Sequence, residues 1–333
     1  MKANKLFLQL AIIGSLSACA GTAPIPSPTI TQSPTMTQSP TMTQSPTIPT
    51  PSHASQIGED QLVLVWSSTG EPDSFSTPDG IGLDQQGNLY VADAGNSQIQ
   101  KLDNQGIFIT KWGSYGSEDG QFNCNPCGLA VDGQGNVYVT DTNNARVQKF
   151  DSNGTFLTKW GSYGKEDGQF IGPFGLAVDQ LGNVYVGDVG NARIQKFDSN
   201  GKFLAKWGSR GEKEGQFSWD LADIAIDAQG NVYVTDRSNG LQKFDSNGNF
   251  IEKWETCGDA KPVSAATGVA IDSQGNIYVS DISNSRICKY DGNGRFLIAW
   301  GGFKNAVGYI AVDQQGNLYM AELFNNRVKK FQQ

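Results

Sequence analysis

One short phrase recurs six times along this chain at nearly constant spacing. It begins with Gly-Asn and continues through an apolar residue, a tyrosine and a second apolar residue, as in Gly135-Asn136-Val137-Tyr138-Val139. An aspartate precedes every copy: Asp84, Asp132, Asp179, Asp227, Asp272 and Asp313. These aspartates lie 48, 47, 48, 45 and 41 residues apart. A period in the forties predicts a repeat protein in which each unit is one small sheet.

The second repeat shows how one unit is built. An apolar segment ends at Asp132, and the following Gly133-Gln134-Gly135-Asn136 is typical of a tight turn. The stretches 137–140, 146–150 and 155–160 are rich in β-branched and aromatic residues, which predicts three further strands. Four antiparallel strands with short connections make one propeller blade. The sequence therefore predicts an all-β, six-bladed β-propeller of four-stranded antiparallel blades.

Side-chain size differs between the first and the last strand of a repeat. The first strands carry small residues at Gly80, Gly82, Gly128, Ala130, Gly175 and Ala177. The last strands each carry a tryptophan, at Trp112, Trp160, Trp207, Trp254 and Trp300. We expect the small residues to line the crowded axis. The tryptophans should fill the wider gaps between blades, where burying an aromatic ring stabilises the fold by about 2–3 kcal/mol.

The two ends of the repeat array predict how the ring closes. The sixth repeat ends at Gln333 after three strands, and the segment 62–70 aligns with 156–164, the last strand of the second repeat and its continuation. The N-terminal segment is therefore expected to supply the outer strand of the last blade. Such pairing removes an exposed strand edge.

The first 56 residues differ in composition from the rest. Two lysines precede an apolar run from Leu6 to Leu16, which predicts a secretion signal over 1–18. The sequence Leu16-Ser17-Ala18-Cys19 resembles the bacterial lipobox and implies lipidation of Cys19; the alternative is an ordinary signal end with a free or buried cysteine. Residues 19–56 are rich in Pro, Ser and Thr and predict a disordered tether. We expect an exported, lipid-anchored protein whose propeller, 57–333, lies on the periplasmic or cell-surface side.

Charge argues against one class of partner. All 33 acidic residues but only 23 of the 25 Lys and Arg residues lie in 57–333, which gives that segment a net charge of −10. Because binding to a phosphate backbone needs a basic face, we expect no nucleic-acid partner. We also expect a monomer.

Four cysteines follow Cys19: Cys124, Cys127, Cys257 and Cys288. A structural zinc site takes four ligands, usually with two close pairs, and only Cys124 and Cys127 are close in sequence. Free or locally bridged thiols are therefore favoured over a metal site. A disulfide between Cys257 and Cys288 is left open, since disulfides are allowed outside the cytoplasm.

The repeats resemble the NHL repeat family of six-bladed β-propellers over about 62–331. The resemblance is carried by Pro126-Cys127-Gly128-Leu129-Ala130-Val131-Asp132, by Gly135-Asn136-Val137-Tyr138-Val139, by Asp141…Asn144-x-Arg146 and by Gly161-Ser162-Tyr163-Gly164…Gly168-Gln169-Phe170. Six copies are specific for the fold. They say little about function, because function depends on sites added to a fold.

An acidic residue and an arginine five positions later recur across one loop of the repeat. The pairs are Asp141/Arg146, Asp188/Arg193, Asp281/Arg286 and Glu322/Arg327. A pair of this kind suits either an acid–base or metal site, or a structural clamp on the loop. Because a catalytic site does not recur in four blades, we interpret the pairs as clamps. Two blades lack them: Asp93 faces Gln98, and Asp236 faces Leu241 after a one-residue deletion.

Strand direction predicts which loops share a face. The second-to-third loops and the blade-to-blade loops emerge together on one side, which we name the long-loop face. Long loops on a rigid scaffold carry function more often than tight turns do. The candidate binding residues on this face are Arg237, Ile282, Leu323, Phe324, Phe174 and Trp219. Aromatic residues and arginine are the usual anchors of protein-binding surfaces, although packing between loops explains them equally well.

Histidine usage bears on catalysis. Streptogramin-cleaving and amidating lyases that resemble this fold rely on histidines, whereas His53, in the tether, is the one histidine of this chain. The sequence therefore assigns no catalytic residue and no metal ligand. We expect a binding or scaffold propeller that recognises a protein, a peptide or an envelope polymer. The alternative is a calcium-dependent hydrolase or lyase, so calcium is the one cofactor left open; otherwise we expect none.

Overall fold

The computed structural model describes residues 57–58, 62–70, 74–123, 126–254, 257–258, 263, 265–303 and 307–333. The predicted signal, the lipidation site Cys19, the tether and Cys124 lie outside these residues. The described chain forms six antiparallel sheets of four strands each, and one of them carries a short additional strand. The prediction of an all-β, six-bladed propeller is confirmed. No helix in this part of the chain is long and apolar enough to cross a membrane.

The blades follow one another along the chain. Blade 1 contains β3 (Pro78–Leu83), β4 (Leu89–Asp93), β5 (Gln98–Leu102) and β6 (Phe108–Trp112). Blade 2 contains β7 (Pro126–Val131), β8 (Val137–Asp141), β9 (Arg146–Phe150) and β10 (Phe156–Trp160). Blade 3 contains β11 (Pro173–Val178), β12 (Val184–Asp188), β13 (Arg193–Phe197) and β14 (Phe203–Trp207). Blade 4 contains β15 (Leu221–Ile226), β16 (Val232–Asp236), β17 (Gly240–Phe244) and β18 (Phe250–Trp254). Blade 5 contains β19 (Ala266–Ile271), β20 (Ile277–Asp281), β21 (Arg286–Tyr290) and β22 (Phe296–Gly301).

Blade 6 joins the two ends of the described chain. It contains β23 (Ile310–Val312), β24 (Leu318–Glu322) and β25 (Arg327–Gln332), and β2 (Val63–Ser68) pairs antiparallel with β25 from Val63↔Gln332 to Ser68↔Val328. The predicted closure of the last blade by the N-terminal segment is confirmed. The short strand β1 (Ile57–Gly58) pairs parallel with β22 at the outer edge of blade 5.

The first strands of neighbouring blades pack against one another around the axis. A Cβ atom built on Gly80 would lie 2.0 Å from the carbonyl oxygen of Cys127, and one on Gly128 would lie 2.0 Å from that of Phe174. No side chain fits at such distances, so glycine is required at these two contacts. The predicted role of small residues at the axis is confirmed.

Aromatic rings fill the space between adjacent blades. Trp112 of blade 1 packs edge-to-face on Tyr90 of its own blade, at 6.2 Å between centroids. It also contacts Phe150 of blade 2 in a tilted arrangement, at 5.9 Å between centroids. The ring of Trp112 also lies under Gly154, where a Cβ would come within 2.5 Å of the indole. The predicted use of the tryptophans as core residues between blades is confirmed.

The recurring aspartate has a structural role in every blade. Asp132 accepts hydrogen bonds at Oδ1 from the main-chain N–H groups of Gln134 and Asn136, at 2.9 and 2.8 Å. Its Oδ2 accepts from the Asn136 side chain at 2.8 Å and from the Tyr138 hydroxyl at 3.1 Å. One carboxylate therefore fixes a tight turn and the tyrosine of the next strand. This network explains why Asp, Gly-Asn and Tyr recur together.

A disulfide joins Cys257 to Cys288, with 5.9 Å between their Cα atoms. It ties the segment that follows blade 4 to β21 of blade 5. The disulfide that the sequence analysis left open is therefore present.

Candidate functional site

The loops of the propeller divide between its two faces as strand direction requires. Short 3₁₀ turns connect the second and third strands, as at Thr142–Asn144 and Leu323–Asn325. These turns meet the blade-to-blade loops: the N–H of Gly190 donates to the carbonyl of Ile171 at 2.8 Å. Both kinds of loop form the long-loop face. The tight Asp-Gly-Asn turns form the opposite face.

The predicted Asp–Arg pairs are buried ion pairs on the long-loop side of the blades. Arg146 donates from Nε to Asp141 at 2.7 Å. Its terminal nitrogens donate to three carbonyl oxygens of the preceding blade-to-blade loop, those of Ser117, Glu118 and Gln121, at 2.8–2.9 Å. Arg146 therefore holds that loop against blade 2. This geometry is a structural clamp.

The other three pairs are also brought together. Arg193 contacts Asp188 at 2.8 Å, Arg286 contacts Asp281 at 2.9 Å, and Arg327 contacts Glu322. In blade 1, Gln98 takes the place of the arginine and donates to Asp93 at 2.7 Å. In blade 4, Asp236 instead accepts from the Ser218 hydroxyl at 2.6 Å, and burial raises the pKa of its carboxyl.

The six predicted binding residues do not form one surface. Arg237 donates from Nε to the Thr267 hydroxyl at 3.3 Å, and the ring of Phe174 lies 6.2 Å from that of Tyr309. Thr267 lies in the first strand of blade 5 and Tyr309 immediately precedes that of blade 6, so Arg237 and Phe174 belong to the axis. Trp219 instead stacks under the guanidinium of Arg210 at 3.8 Å. Ile282 and Leu323 are half-buried on their loops, and Phe324 is 74% exposed.

Two blades break the repeat at the axis. Four residues before the turn aspartate, blades 1, 2, 3 and 5 carry glycine, but blade 4 has Asp223 and blade 6 has Tyr309. The strand register confirms that Asp223 and Gly80 are equivalent positions, because the next residues pair in the same way: Ile224 with Val234 and Ile81 with Val91. Side chains thus replace hydrogen atoms at two of the six most crowded axial positions. The preceding position also varies, with Asp79, Cys127, Phe174, Ala222 and Thr267 in blades 1 to 5.

Polar groups meet at this place. We name Asp79, Cys127, Asp223, Arg237 and Tyr309 the axial cluster. Burial raises the pKa of the Asp79 carboxyl to about 7, while the charge of Arg237 and a hydrogen bond with Cys127 pull it down. Burial also raises the pKa of the Cys127 side chain, and the neighbouring Asp79 raises it further. Ionisable groups from three blades therefore act on one another across the axis.

Asp223 and Tyr309 complete the cluster. Burial raises the pKa of the Asp223 carboxyl to about 7, opposed by main-chain hydrogen bonds and increased by the charge of Asp79. Tyr309 is 6% exposed, and its hydroxyl has no hydrogen-bond partner among the described residues. Burial raises the pKa of this hydroxyl, with Asp79, Arg237, Asp223 and Cys127 all acting on it electrostatically. The phenol therefore lies among the other members of the cluster.

The arrangement combines two carboxyls that titrate near neutrality with a cation, a phenol and an aromatic ring. Such groups suit binding of a polar ligand or proton transfer. No three His, Cys, Asp or Glu side chains of the described chain are grouped closely enough to hold a metal ion. The sequence pattern predicted Arg237 and Phe174 as site residues but not Asp79, Cys127, Asp223 or Tyr309. The signal was present in the replacement of the axial glycine in two of six repeats.

A cleft of about 730 Å³ opens on the opposite face, among the turns of blades 4, 5 and 6. Its lining includes Asp227, Asp272 and Asp313. The carboxylates of these residues already accept hydrogen bonds within their own turns, as that of Asp313 does from Asn317 at 2.8 Å and from Tyr319 at 3.1 Å. Because its charged groups are engaged, this cleft is a weaker candidate than the axial cluster.

Comparison with protein families agrees with the repeat analysis. Residues 75–102, 123–150, 170–197 and 265–290 match the NHL repeat. These segments fall in blades 1, 2, 3 and 5. The chain therefore contains NHL repeats within a six-bladed β-propeller. A search of curated proteins gives no match.

Solved structures with this fold include proteins of different activities. Virginiamycin B lyase from Staphylococcus aureus superposes with a TM-score of 0.57 at 13% identity, over 78% of this chain and 82% of its own. A gluconolactonase from Xanthomonas campestris gives 0.58 at 14% identity, over 78% and 86%. Hydrazine synthase from Kuenenia stuttgartiensis gives 0.56 at 12% identity, over 78% and 97%. At these identities the likeness shows the fold alone.

Proposed function

We propose that this chain is an exported, lipid-tethered binding propeller that recognises a protein, a peptide or an envelope polymer through its long-loop face. The observation that carries the proposal is that residues which break the repeat meet at the axis. Asp223 and Tyr309 replace the glycine of the other blades, and Arg237 lies where other blades carry uncharged residues. Departures from a strict repeat at one place indicate a site rather than a packing requirement.

The surface around the axis supports recognition of a large partner. Phe324 is 74% exposed on the 3₁₀ turn of blade 6, and Leu323 beside it is half-buried. An exposed aromatic residue on the long-loop face is typical of the anchors of protein-binding surfaces. The predicted tether would let the propeller reach a partner on the order of 100 Å from its anchor.

Site-specific photo-crosslinking tests this function. A photoreactive amino acid replaces Phe324 in the full-length chain within native membranes. A second variant carries it at Leu181, which is 88% exposed on the tight-turn face and serves as the matched control. We expect one defined adduct from position 324 and none from position 181. Arg237→Glu in the first variant should reduce the adduct about tenfold.

The opposite pattern would contradict the proposal. Adducts of equal yield from both positions would indicate collision without a binding face. An adduct from position 181 alone would assign recognition to the tight-turn face.

A second candidate function is hydrolysis or elimination, calcium-dependent in the form that the sequence analysis allowed. Two of the structural neighbours are described as a lyase and a gluconolactonase. The specific observation in its favour is that Asp79 and Asp223 have pKa values raised to about 7, where a general acid or base works best at neutral pH. Turnover of lactones and cyclic depsipeptides, with and without calcium, tests it, with Asp79→Asn as the inactive control. Absence of turnover together with no calcium retained by the purified protein would remove this candidate.

A further inference from the structure

The axial cluster contains a carboxyl without a balancing cation. Asp223 accepts hydrogen bonds from the main-chain N–H groups of Ile224 and Val269, at 2.9 and 3.0 Å. No lysine or arginine of the described chain forms an ion pair with Asp223 or Asp79. Arg237 acts electrostatically on Asp79. When both carboxyls are ionised, the cluster holds two negative charges and one guanidinium, and it lacks one positive charge.

The hydroxyl of Tyr309 provides a second, independent indication of a ligand. Its oxygen is buried and has no hydrogen-bond partner within the described residues. Leaving a buried polar group unsatisfied costs about 1–3 kcal/mol, so such groups are rare in native proteins. The Tyr309 hydroxyl lies close enough to Asp79 and Asp223 for both charges to act on it. A ligand that donates hydrogen bonds here would satisfy it.

Two aromatic rings border the same place. Phe174 of blade 3 and Tyr309 of blade 6 belong to blades opposite each other in the ring, and their centroids are 6.2 Å apart at an interplanar angle of 45°. Aromatic faces attract cations. Asp79, Phe174, Asp223 and Arg237 each keep part of their surface exposed.

These observations select one ligand chemistry. When both carboxyls are ionised, they would repel an anion, and a neutral group would leave their charge uncompensated. A primary ammonium carries one positive charge and three donors with no acceptor, which matches two carboxylates and a phenol oxygen. We propose that the axial cluster binds the primary ammonium group of a ligand, either a lysine side chain of a polypeptide or a free alkyl amine. The lysine source rests on the proposed binding function; the free amine does not.

Calorimetric titration of the full-length chain with matched small probes tests the site. The probes are Nα-acetyl-lysine methylamide, its neutral analogue Nα-acetyl-norleucine methylamide, n-butylammonium and calcium chloride. We expect the lysine amide to bind at one site and its norleucine analogue to bind at least about tenfold more weakly, because a charge-assisted hydrogen bond is lost. A response to n-butylammonium as strong as that to the lysine amide assigns the site to free amines. A preference for the lysine amide assigns it to polypeptides.

Variants of Asp223 make the test specific. Asp223→Asn should weaken binding of the lysine amide about tenfold, and so should Asp223→Gly, which restores the glycine of the other blades. Asp119→Asn removes an exposed acidic charge from the same face and should leave binding unchanged. Melting curves of each variant show whether it is folded.

Three results would overturn the inference. They are no binding of either amine, equal weakening by Asp223→Asn and Asp119→Asn, and saturation by calcium that depends on Asp223 and excludes the amine. Phe324→Ala should leave amine binding intact. Failure of amine binding with persistent crosslinking at position 324 would therefore reject this inference and keep the proposed function.

Discussion

The buried charges of this propeller fall into two groups, the clamps between loops and blades and the cluster at the axis. In the clamp of blade 3, Arg193 contacts Asp188 at 2.8 Å and donates to the carbonyls of Lys165, Glu166 and Gln169 at 2.8–2.9 Å. Each charge has a partner, and each of the three guanidinium nitrogens donates at least one hydrogen bond. At the axis, Asp223 has only main-chain donors, and the Tyr309 hydroxyl has no partner in the described chain.

The difference teaches how to separate structure from function in a repeat protein. Charges that recur with the repeat are satisfied within it, because every blade has the same loop to hold. Charges that appear once have no partner supplied by the repeat. Blade 4 shows both effects: it lacks the clamp arginine, and it adds Asp223 and Arg237 at the axis. Blades 4 and 6, which carry the axial replacements, lie outside the matched NHL segments.

The largest expected effect concerns the clamps. Arg193→Met leaves the fully buried Asp188 carboxylate without its cation and frees three loop carbonyls. Removing one partner of a buried ion pair costs about 3–5 kcal/mol. Urea denaturation of the full-length chain should show a loss of this size.

The matched control is the exposed ion pair between Lys206 and Asp167. Lys206→Met should change the free energy of unfolding by at most about 1 kcal/mol. Similar losses of unfolding free energy in the two variants would mean that the clamps stabilise the fold no more than surface ion pairs do. The clamps would then not differ from the axial cluster as fully satisfied structural charges.

The axial acids should make stability depend on pH near neutrality. Asp223 has a pKa raised from 3.8 to about 7, so the folded state holds a proton that the unfolded state releases. The stabilisation is complete below about pH 3.8 and is lost as pH rises to about 7. A shift of this size corresponds to at most about 4 kcal/mol, and residual solvent access reduces the expected effect to about 2 kcal/mol.

Thermal and urea unfolding at pH 5, 6, 7 and 8 check this expectation. The stability advantage of Asp223→Asn over the parent chain should grow from pH 5 to pH 7 and level off by pH 8. The groups that act on Asp223 or share its cluster are Asp79, Cys127, Arg237 and Tyr309, and the chain has no histidine after His53. A constant difference between the two proteins from pH 5 to 8 would show that Asp223 ionises normally.

The fold was predictable because each signal repeats. The spacing of the turn aspartates predicted six blades, and the match of 62–70 to 156–164 predicted the closure of blade 6 by β2. A feature that recurs in several copies can be distinguished from the irregularities of any one blade. The recurrence of the acid–arginine spacing likewise predicted that Asp141 and Arg146 would face each other across a loop, and they lie 2.7 Å apart.

The axial cluster was harder to predict for the opposite reason. Asp223 and Tyr309 occur once each and are 86 residues apart in sequence, and only closure of the ring brings blades 4 and 6 to the same axis. Arg237 stands out when the residues that follow the second strands are compared, because it is the one charged residue among Ala94, Thr142, Val189, Arg237, Ile282 and Leu323. Comparing the first strands in the same way would have identified Asp79 and Cys127. Which of these residues lie close together across the axis depends on how the blades pack, and the sequence of one repeat does not contain that information.

A smaller effect tests how crowded the axis is in the regular blades. Gly80→Ala would place a Cβ 2.0 Å from the main-chain oxygen of Cys127, and overpacking of this kind costs about 1–3 kcal/mol. Gly133→Ala is the control, because its Cβ would meet its nearest atom at 3.5 Å. Equal melting temperatures for the two variants would mean that the first strands can move apart to admit a side chain. The presence of Asp223 at this position would then need no functional explanation.

The smallest expected change in stability comes from Tyr309→Phe. The hydroxyl is buried without a partner in the described structure, so its removal should leave the free energy of unfolding unchanged or raise it by about 1 kcal/mol. Tyr319→Phe is the matched control, since that hydroxyl donates to Asp313 at 3.1 Å and its loss should destabilise the fold by about 1 kcal/mol. Urea denaturation of both variants measures the difference.

A loss of stability at Tyr309 as large as that at Tyr319 would show that the axial phenol is part of the structural network. A neutral change, together with weaker binding of an ammonium probe, would separate the axis from the clamps on the same molecule.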